Sequence, residues 1–445
     1  MIARCVPYVV ARATTVTKML PRGVADSGGG VSGDAKGGMG IRWLSRLVPV
    51  AVWLGLGVAC AGEPAALESP AGDGAVLEAG RVLERKTPRR VEEGRWIFRY
   101  DDFGDWRFWT DTLRLNDLVE QVTPRTALQL GLKVDADAIP PEVLDAVLSD
   151  PSLLDDRAIT RALLQLDAVV GVSAQVEGDQ ITRIGITCAL CHSTVDDAVA
   201  PGIGHRRDGW PNRDLAVGTV VSLAPGLPDE LRGIYGSWPA GFFDPRFNLD
   251  GISDPVVIPP AYGLKGVGLE TYTGEGPVSY WNAYVAVLEM HGHGSFSDPR
   301  LGVRVRIPPG EDEVRSKLAA LRQYQRTLEA PRPPEGSYDA AAAARGRVVF
   351  RTVARCSTCH SGPNFTDGGN LHDAAETGMD PAYAARGTTG KYRTTPLRGL
   401  WQHPPYFHDG SAATLAEVVD HYDRALGLGL TPDERADLIE YLKTL

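Results

Sequence analysis

Two short motifs with the pattern C-x-x-C-H are the residues of this 445-residue chain whose spacing points most directly to chemistry. The motif residues are Cys188, Cys191 and His192 in the first copy and Cys356, Cys359 and His360 in the second. Two thiols three positions apart can add to the two vinyl groups of one porphyrin, and the adjacent histidine then reaches the iron as its proximal ligand. The sequence therefore predicts two covalently bound haem c groups, with His192 and His360 as iron ligands.

Other uses of four cysteines fit this pattern less well. The paired cysteines of a zinc site usually lie about 15–20 residues apart, and these two motifs are much farther apart in the chain. A redox-active C-x-x-C needs no histidine after it in either copy. Structural disulfides within a motif would close very short loops, which stabilise a fold little. Two attachment sites for haem c remain the prediction.

The N-terminus predicts export, which the attachment of haem c requires. Leu47–Ala61 is an uncharged run preceded by Arg42 and Arg46, and it is too short to span a bilayer. It fits a signal peptide in which Ala59-Cys60-Ala61 is the cleavage site and Met39 is the start, so residues 1–61 form a leader. The predicted localisation is the periplasm, with a lipoprotein anchor at Cys60 as the alternative and the only predicted membrane contact.

Composition excludes several classes of protein. The apolar fraction of 43% is ordinary for a globular chain, which argues against disorder and against a membrane bundle. The formal net charge of −10 gives the protein no general affinity for nucleic acid.

The elements around the motifs predict a mainly α protein with two cytochrome c-like haem domains, long irregular loops and an extended N-terminal domain. We expect the first haem domain over 62–329, a Pro-rich linker over 330–338 and a C-terminal cytochrome c domain over 339–445. Apolar spacing predicts helices over 311–328 and 339–350. Two capping boxes, Thr414 with Glu417 and Thr431 with Glu434, predict the starts of two further helices.

Three segments of the C-terminal part resemble the bacterial dihaem cytochrome c peroxidase and MauG superfamily. They are Phe365–His372, Tyr392–Arg398 and, most specifically, Pro405-Tyr-Phe-His-Asp-Gly410. The resemblance is strong over 339–445, whereas the longer N-terminal layout looks more like a subgroup related to the rubber oxygenases. In this superfamily the N-terminal haem usually reacts with peroxide and the C-terminal haem usually relays electrons. The resemblance thus implies a reactive iron at His192 and an electron-transfer iron at His360.

The same resemblance suggests a sixth ligand for the second haem. Typical peroxidases place a methionine 14 residues after the histidine of the last segment, where this chain has Tyr422, and MauG-type members use a tyrosine there. A buried core tyrosine is the alternative, and His421 and Met379 compete for the position.

Three further residues are candidates around the first haem. His205 is either a displaceable distal ligand or a surface histidine that makes a hydrogen bond, and Trp210 is either an electron relay or a packed side chain. Peroxide chemistry also needs an acid–base group, and the pair Glu289-Met290 resembles the family's Glu-Met pair. The alternative for Glu289 is a carboxylate on a helix surface.

The predicted function is an exported haem oxidoreductase that acts on hydrogen peroxide or oxygen and receives electrons from a small cytochrome or cupredoxin. A dihaem electron carrier without catalytic activity and a rubber oxygenase-like dioxygenase remain the alternatives. Some relatives hold a calcium ion between their domains, and the sequence leaves that cofactor open.

Overall fold

The computed structural model describes residues 88–445, and helices dominate this part of the chain, as predicted. The predicted leader, including Cys60, lies outside the described residues. The α-helices are, in chain order, α1 (Pro88–Tyr100), α2 (Trp106–Trp109), α3 (Leu115–Val119), α4 (Pro124–Gln129), α5 (Pro141–Ser149), α6 (Arg157–Gln165), α7 (Ala189–His192), α8 (Val217–Leu223), α9 (Asp229–Gly236), α10 (Val278–Tyr284), α11 (Leu318–Gln325), α12 (Ala340–Arg351), α13 (Ala374–Thr377), α14 (Pro381–Ala385), α15 (Leu415–Leu426) and α16 (Pro432–Leu442).

The strands are short and form two-stranded ladders between the helices. They are β1 (Val134–Asp135), β2 (Val172–Glu177), β3 (Gln180–Ile186), β4 (Ser193–Val195), β5 (Ile203–Gly204), β6 (Arg206–Asp208), β7 (Phe242–Phe243), β8 (Val256–Val257), β9 (Phe296–Asp298), β10 (Val303–Val305), β11 (Leu371–His372) and β12 (Tyr392–Arg393). β1 pairs with β5 in parallel, and the pairs β2–β3, β4–β6, β7–β8, β9–β10 and β11–β12 are antiparallel. The longest pair, β2–β3, leads directly into the first C-x-x-C-H motif.

The main N-terminal core lies between α1, α11 and the segment after α10. Its buried side chains include Phe98, Tyr284, Leu321 and Tyr324. The helix predicted over 311–328 is shorter than expected, because the chain turns before Leu318. Asp312 holds this turn: its carboxylate accepts hydrogen bonds from the backbone N–H groups of Val314 and Arg315.

The C-terminal part has a separate core formed by α12, α15 and α16. Asp339 caps α12, and both predicted capping boxes are present at Thr414 and Thr431. The two long helices α12 and α16 approach closely at Gly346, where an added Cβ would lie 1.9 Å from the Asp437 carbonyl oxygen. The second C-x-x-C-H motif follows α12 and its first turn contacts that helix, so α12 is the element that positions it.

A π-helical turn, Val285–Glu289, continues α10 and ends at Glu289. The backbone N–H of Met290 bonds the Val285 carbonyl at 2.8 Å, a five-residue step that the α-helix lacks. His291 follows with a left-handed backbone (φ 63°), which reverses the chain toward β9. Among residues 88–445, no helix has the length and apolar character needed to cross a membrane.

Candidate haem-binding cavity

The structure brings the two C-x-x-C-H motifs onto the wall of a single cavity of about 900 Å³. The four motif cysteines, His192 and His360 all line it, together with a predominantly apolar set of side chains. The described residues, 88–445, belong to one compact unit, so both motifs belong to the same body. Large apolar cavities with a few polar groups are typical of cofactor sites.

The first motif is held by the end of β3 and by the short helix α7. The backbone N–H of Thr187 bonds the Gly171 carbonyl at 2.9 Å, and its hydroxyl donates to the Arg99 carbonyl at 3.1 Å. His192 Nδ1 donates to the Pro259 carbonyl at 3.1 Å, which fixes the tautomer and leaves Nε2 free to bind a metal. Burial lowers the pKa of His192 to about 4, so its ring is neutral at neutral pH.

The second motif has the same hydrogen-bond arrangement on different elements. It begins after Arg355, whose backbone is left-handed (φ 52°), and Cys356–Thr358 form a 3₁₀ turn. His360 Nδ1 donates to the Phe365 carbonyl at 3.0 Å, so its Nε2 is again free to bind a metal. Burial also lowers the pKa of His360, against the opposing effect of this hydrogen bond.

The four motif cysteines are free thiols in the structure. Burial raises the pKa of both Cys188 and Cys191 to about 12 and that of Cys356 to about 11, so these thiols are neutral. Paired thiols and a neutral histidine on one apolar wall, repeated twice, fit two haem c groups. Cys188, Cys191 and His192 would hold one, and the second motif would hold the other.

Tyr422 of α15 lies on the cavity wall beside the second motif. None of the hydrogen bonds of the described residues involves its hydroxyl. Burial raises its pKa, and the nearby thiols of Cys356 and Cys359 add to this shift. Of its two competitors, Met379 also lines the cavity, whereas His421 lies off the wall and donates from Nε2 to the Thr377 carbonyl at 2.9 Å. Tyr422 and Met379 thus remain the candidates for a sixth ligand.

Glu289 lies on the cavity wall near the first motif, at the end of the π-helical turn. Its Oε1 is buried and has no hydrogen-bond partner. Burial raises the pKa of Glu289 well above its usual range, although the positive charge of Arg246 opposes the shift. Its charge also raises the pKa of Cys191, which places it close to the first attachment site. A buried, unpaired carboxyl group in a cavity is a candidate acid–base residue.

His205 and Trp210 lie outside the residues that line the cavity. The His205 side chain is 54% exposed, and its Nδ1 pairs with Asp137 at 2.8 Å, which raises the pKa of His205. This is the surface hydrogen bond that the sequence left open as the alternative to iron ligation. Trp210 packs edge-on against Trp401 with ring centroids 5.8 Å apart.

Several cavity groups have no signal in the sequence. The carbonyls of Pro259 and Phe365 orient the two proximal histidines, and any residue type can supply a carbonyl. Trp281 also lines the cavity, and its buried Nε1 has no partner. Arg213 lines it as well, with two buried guanidinium nitrogens that have no partner.

Among the described residues, one further cluster of side chains could hold a metal ion. Ligand atoms of Cys359, Asp367 and His372 lie within 4.8 Å of one another. His372 Nε2 pairs with Asp367 at 2.9 Å and its Nδ1 with Glu376 at 3.1 Å, which raises the pKa of His372. A thiol and an imidazole do not suit calcium, which prefers oxygen ligands, and Cys359 is a predicted haem-attachment residue.

Comparisons with known proteins find relatives that match parts of this chain. A family model described as RoxA-like, cytochrome c-like matches residues 390–426. Over 157 residues the chain is 33% identical to the methylamine utilization protein MauG of Methylorubrum extorquens, covering 30% of this chain and 44% of that protein. Over 285 residues it is 28% identical to the cytochrome c551 peroxidase of Nitrosomonas europaea, covering 58% of this chain and 74% of the peroxidase.

One solved structure is similar to a short segment of the chain. A MauG-like protein associated with microbial copper homeostasis shares 26% identity, with a TM-score of 0.25, over 29% of this chain and 56% of its own. The chain spans less than half the length of the curated MauG relative. Over parts of its length the chain is thus similar to a RoxA-like, cytochrome c-like family, to MauG and to a cytochrome c551 peroxidase.

Proposed function

We propose that this protein is an exported dihaem c-type oxidoreductase of the periplasm that reduces hydrogen peroxide, or activates oxygen, at the His192 site. Electrons would reach that site from the His360 site, in a second cytochrome c-like domain. The observation that carries the proposal is the cavity that both motifs share, with an unpartnered carboxyl group, Glu289, near the first motif only. Relatives named as cytochrome c peroxidases support the same reaction class.

The bound haem groups would supply redox chemistry, and the protein would supply ligands, orientation and proton transfer. His192 and His360 would each bind iron through Nε2, because a backbone carbonyl accepts the proton at Nδ1. This hydrogen bond fixes the ring plane and makes the nitrogen a better donor. Apolar side chains of the wall would exclude water from the two sites.

Glu289 would move a proton at the first site. Burial raises its pKa and so favours the protonated carboxyl group, which can donate a proton and take one back. At the second site, Tyr422 lies on the cavity wall and its hydroxyl takes part in no hydrogen bond of the described residues, which suits a sixth ligand. This difference between the sites supports chemistry at the first and electron relay at the second.

The electron donor would be a small cytochrome or cupredoxin in the same compartment. A dihaem electron carrier without catalysis is the alternative, and it needs no acid–base group beside either haem. A dioxygenase that oxidises an organic substrate would use the same acid–base residue with oxygen in place of peroxide.

Electron paramagnetic resonance of the holoprotein tests the proposal, before and after one equivalent of hydrogen peroxide, in the oxidised and half-reduced states. We expect one high-spin and one low-spin haem, with the high-spin signal lost on addition of peroxide. In Tyr422→Phe, only the second haem's spectrum should change. Two low-spin haems that ignore peroxide in both states would favour the electron carrier, and an unchanged Tyr422→Phe spectrum would exclude that ligand.

A further inference from the structure

Arg213 connects the first motif to the C-terminal part of the cavity. The preceding residue, Asn212, is fixed to the motif because its backbone N–H donates to the Cys191 carbonyl at 2.8 Å. From there the Arg213 side chain reaches across, and its Nη2 donates to the His403 carbonyl at 3.0 Å. Both Arg213 and His403 line the cavity. The guanidinium group therefore lies between the two haem-attachment regions.

This guanidinium group lacks a negative partner among the described residues. Its Nε and Nη1 are buried and make no hydrogen bond. The neighbours that influence its charge are the phenols of Tyr262 and Tyr406, and burial lowers the pKa of Arg213 to about 10. A buried cation without a counter-charge costs several kcal/mol of folding free energy, about the cost of breaking a buried ion pair. An anion from outside the chain would remove that cost.

The other two deeply placed arginines of the cavity already have carboxylates. Arg393 Nη1 lies 3.2 Å from Glu270, and Arg246 makes an ion pair with Glu275. Both acidic side chains are largely buried, so each of these arginines has a counter-charge inside the protein, although Nη1 of Arg246 and Nε of Arg393 make no hydrogen bond. Arg213 differs from them in having only a peptide carbonyl as its partner. The protein has thus left one cavity arginine free for a ligand.

We propose that Arg213 binds a propionate carboxylate of one of the two haem groups. The proposal rests on the haem c loading described under the proposed function. Each haem carries two carboxylates, and a guanidinium group binds a carboxylate through paired hydrogen bonds, which would satisfy the free Nε and Nη1. Arg213 acts as a positioning residue: it orients a haem edge and joins it to the His403 backbone.

The charge of Arg213 should also tune the haem that it contacts. In a water-poor cavity, a fixed cation disfavours the extra positive charge of ferric iron, so it raises the midpoint potential of that haem. Loss of the cation would lower the potential. It would also leave a buried carboxylate without a partner, whose pKa would then rise, and the midpoint potential would become more dependent on pH.

The test is a spectroelectrochemical titration of the holoprotein at several pH values, in wild type, Arg213→Gln and Arg213→Lys. The haem content is measured first, since a wild-type chain without two covalent haems would contradict the proposed function rather than this inference. In Arg213→Gln we expect the midpoint potential of one haem to fall by at least about 59 mV, which corresponds to a tenfold change in the ferric-to-ferrous ratio. Arg213→Lys keeps the charge and should retain most of the wild-type potential.

Arg347→Gln is the matched control, because Arg347 is exposed on α12 and should leave both potentials unchanged. The paramagnetic signal of the partly reduced sample identifies which of the two haems has shifted. Wild-type potentials and pH dependence in fully loaded Arg213→Gln would overturn the proposal, since a structural role alone would change only stability. If Arg213→Gln does not take up haem, a crystal structure of the wild-type holoprotein decides. A propionate oxygen within hydrogen-bond distance of the guanidinium supports the proposal, and its absence there overturns it.

Discussion

Glu289 is the residue whose environment is hardest to explain by stability alone. Its carboxyl group lies on the cavity wall with a buried oxygen that makes no hydrogen bond, and burial raises its pKa. Such a group destabilises a fold near neutral pH, because the folded state must keep it protonated or desolvate its charge. Unfavourable burial of this kind is concentrated at functional sites. We therefore assign it the proton-transfer role in the proposed reaction.

The substitution Glu289→Gln keeps the shape of the side chain and removes the exchangeable proton. We expect the rate of the peroxide reaction to fall by about 10²–10⁴-fold, while the haem content and the resting spectrum stay unchanged. Stopped-flow mixing with peroxide measures this rate. Glu230→Gln, at an exposed position of α9, should react like the wild type. A Glu289→Gln protein that reacts within a few-fold of the wild type would remove Glu289 from the mechanism.

Single residues were predictable from the sequence where a pattern identified them. The sequence predicted the six motif residues, because thiols and histidine at fixed spacing are rare by chance. The structure places all six on the cavity wall, and their role in haem binding stays a prediction. Glu289 and Tyr422 came from family resemblance, and the structure places both on the cavity wall. His205 lies outside that wall, in the bend between β5 and β6, and its side chain pairs with Asp137. Arg213 was missed, since one arginine among many carries no pattern.

The start of a helix was predictable from the sequence where short-range capping hydrogen bonds define it. Both capping boxes were predictable, because a capping box needs only two residues three positions apart. The π-helical turn before Met290 was not readable, since its extra residue is stabilised by packing in the core. The left-handed backbone of Phe365, whose carbonyl orients His360, likewise depends on tertiary contacts.

Because α12 and α16 cross closely at Gly346, we expect a larger residue there to destabilise the C-terminal part. In Gly346→Ala the new Cβ would lie 1.9 Å from the Asp437 carbonyl oxygen, so the two helices must move apart. Overpacking of this kind costs about 1–3 kcal/mol, more than the gain in helix propensity. We expect a lower midpoint of thermal unfolding and a smaller fraction of chains with haem at the second motif.

Gly233→Ala is the matched control for this substitution. Gly233 lies within α9, and nothing lies within 4 Å of the Cβ that the alanine would add. Alanine should therefore stabilise that helix by up to about 1 kcal/mol. The two glycine substitutions are thus expected to shift the unfolding midpoint in opposite directions, and equal shifts would contradict the close approach of α12 and α16.

The whole molecule depends on contacts between segments that are distant in sequence. Residues 330–338 have the composition of a linker, yet the Pro331 carbonyl accepts a hydrogen bond from Trp401 Nε1 at 3.1 Å. The backbone N–H of Val257 bonds the His408 carbonyl at 2.8 Å, within the segment that most resembles the superfamily. These pairings could not be predicted, because sequence patterns record local periodicity rather than long-range partners. The predicted domain boundaries remain predictions.

Arg386 forms ion pairs between two segments that are distant in the sequence. Its side chain is 4% exposed and forms ion pairs with Asp244 at 2.9 Å, which is fully buried, and with Asp250 at 2.9 Å. It also donates to the carbonyls of Asp254 and Ile252. One guanidinium group thus holds the 244–254 loop against the turn after α14. Because each segment also contributes to the cavity or flanks it, this connection should hold the two haem regions at a fixed separation.

The substitution Arg386→Gln should therefore affect both stability and electron transfer. Removing one partner of a buried ion pair costs about 3–5 kcal/mol, since the remaining carboxylates stay buried without a counter-charge. Arg345→Gln is the matched control: Arg345 is 62% exposed, and its pair with Asp437 is worth at most about 1 kcal/mol. Thermal unfolding of the two holoproteins measures the difference.

If Arg386 fixes the spacing of the haems, electron transfer from the second haem to the first should slow in Arg386→Gln only. This rate is followed after rapid reduction. Equal midpoints of thermal unfolding in the two variants would show that the buried ion pairs of Arg386 do not stabilise the fold. An unchanged electron-transfer rate in a destabilised Arg386→Gln would show that other contacts set the distance between the haems.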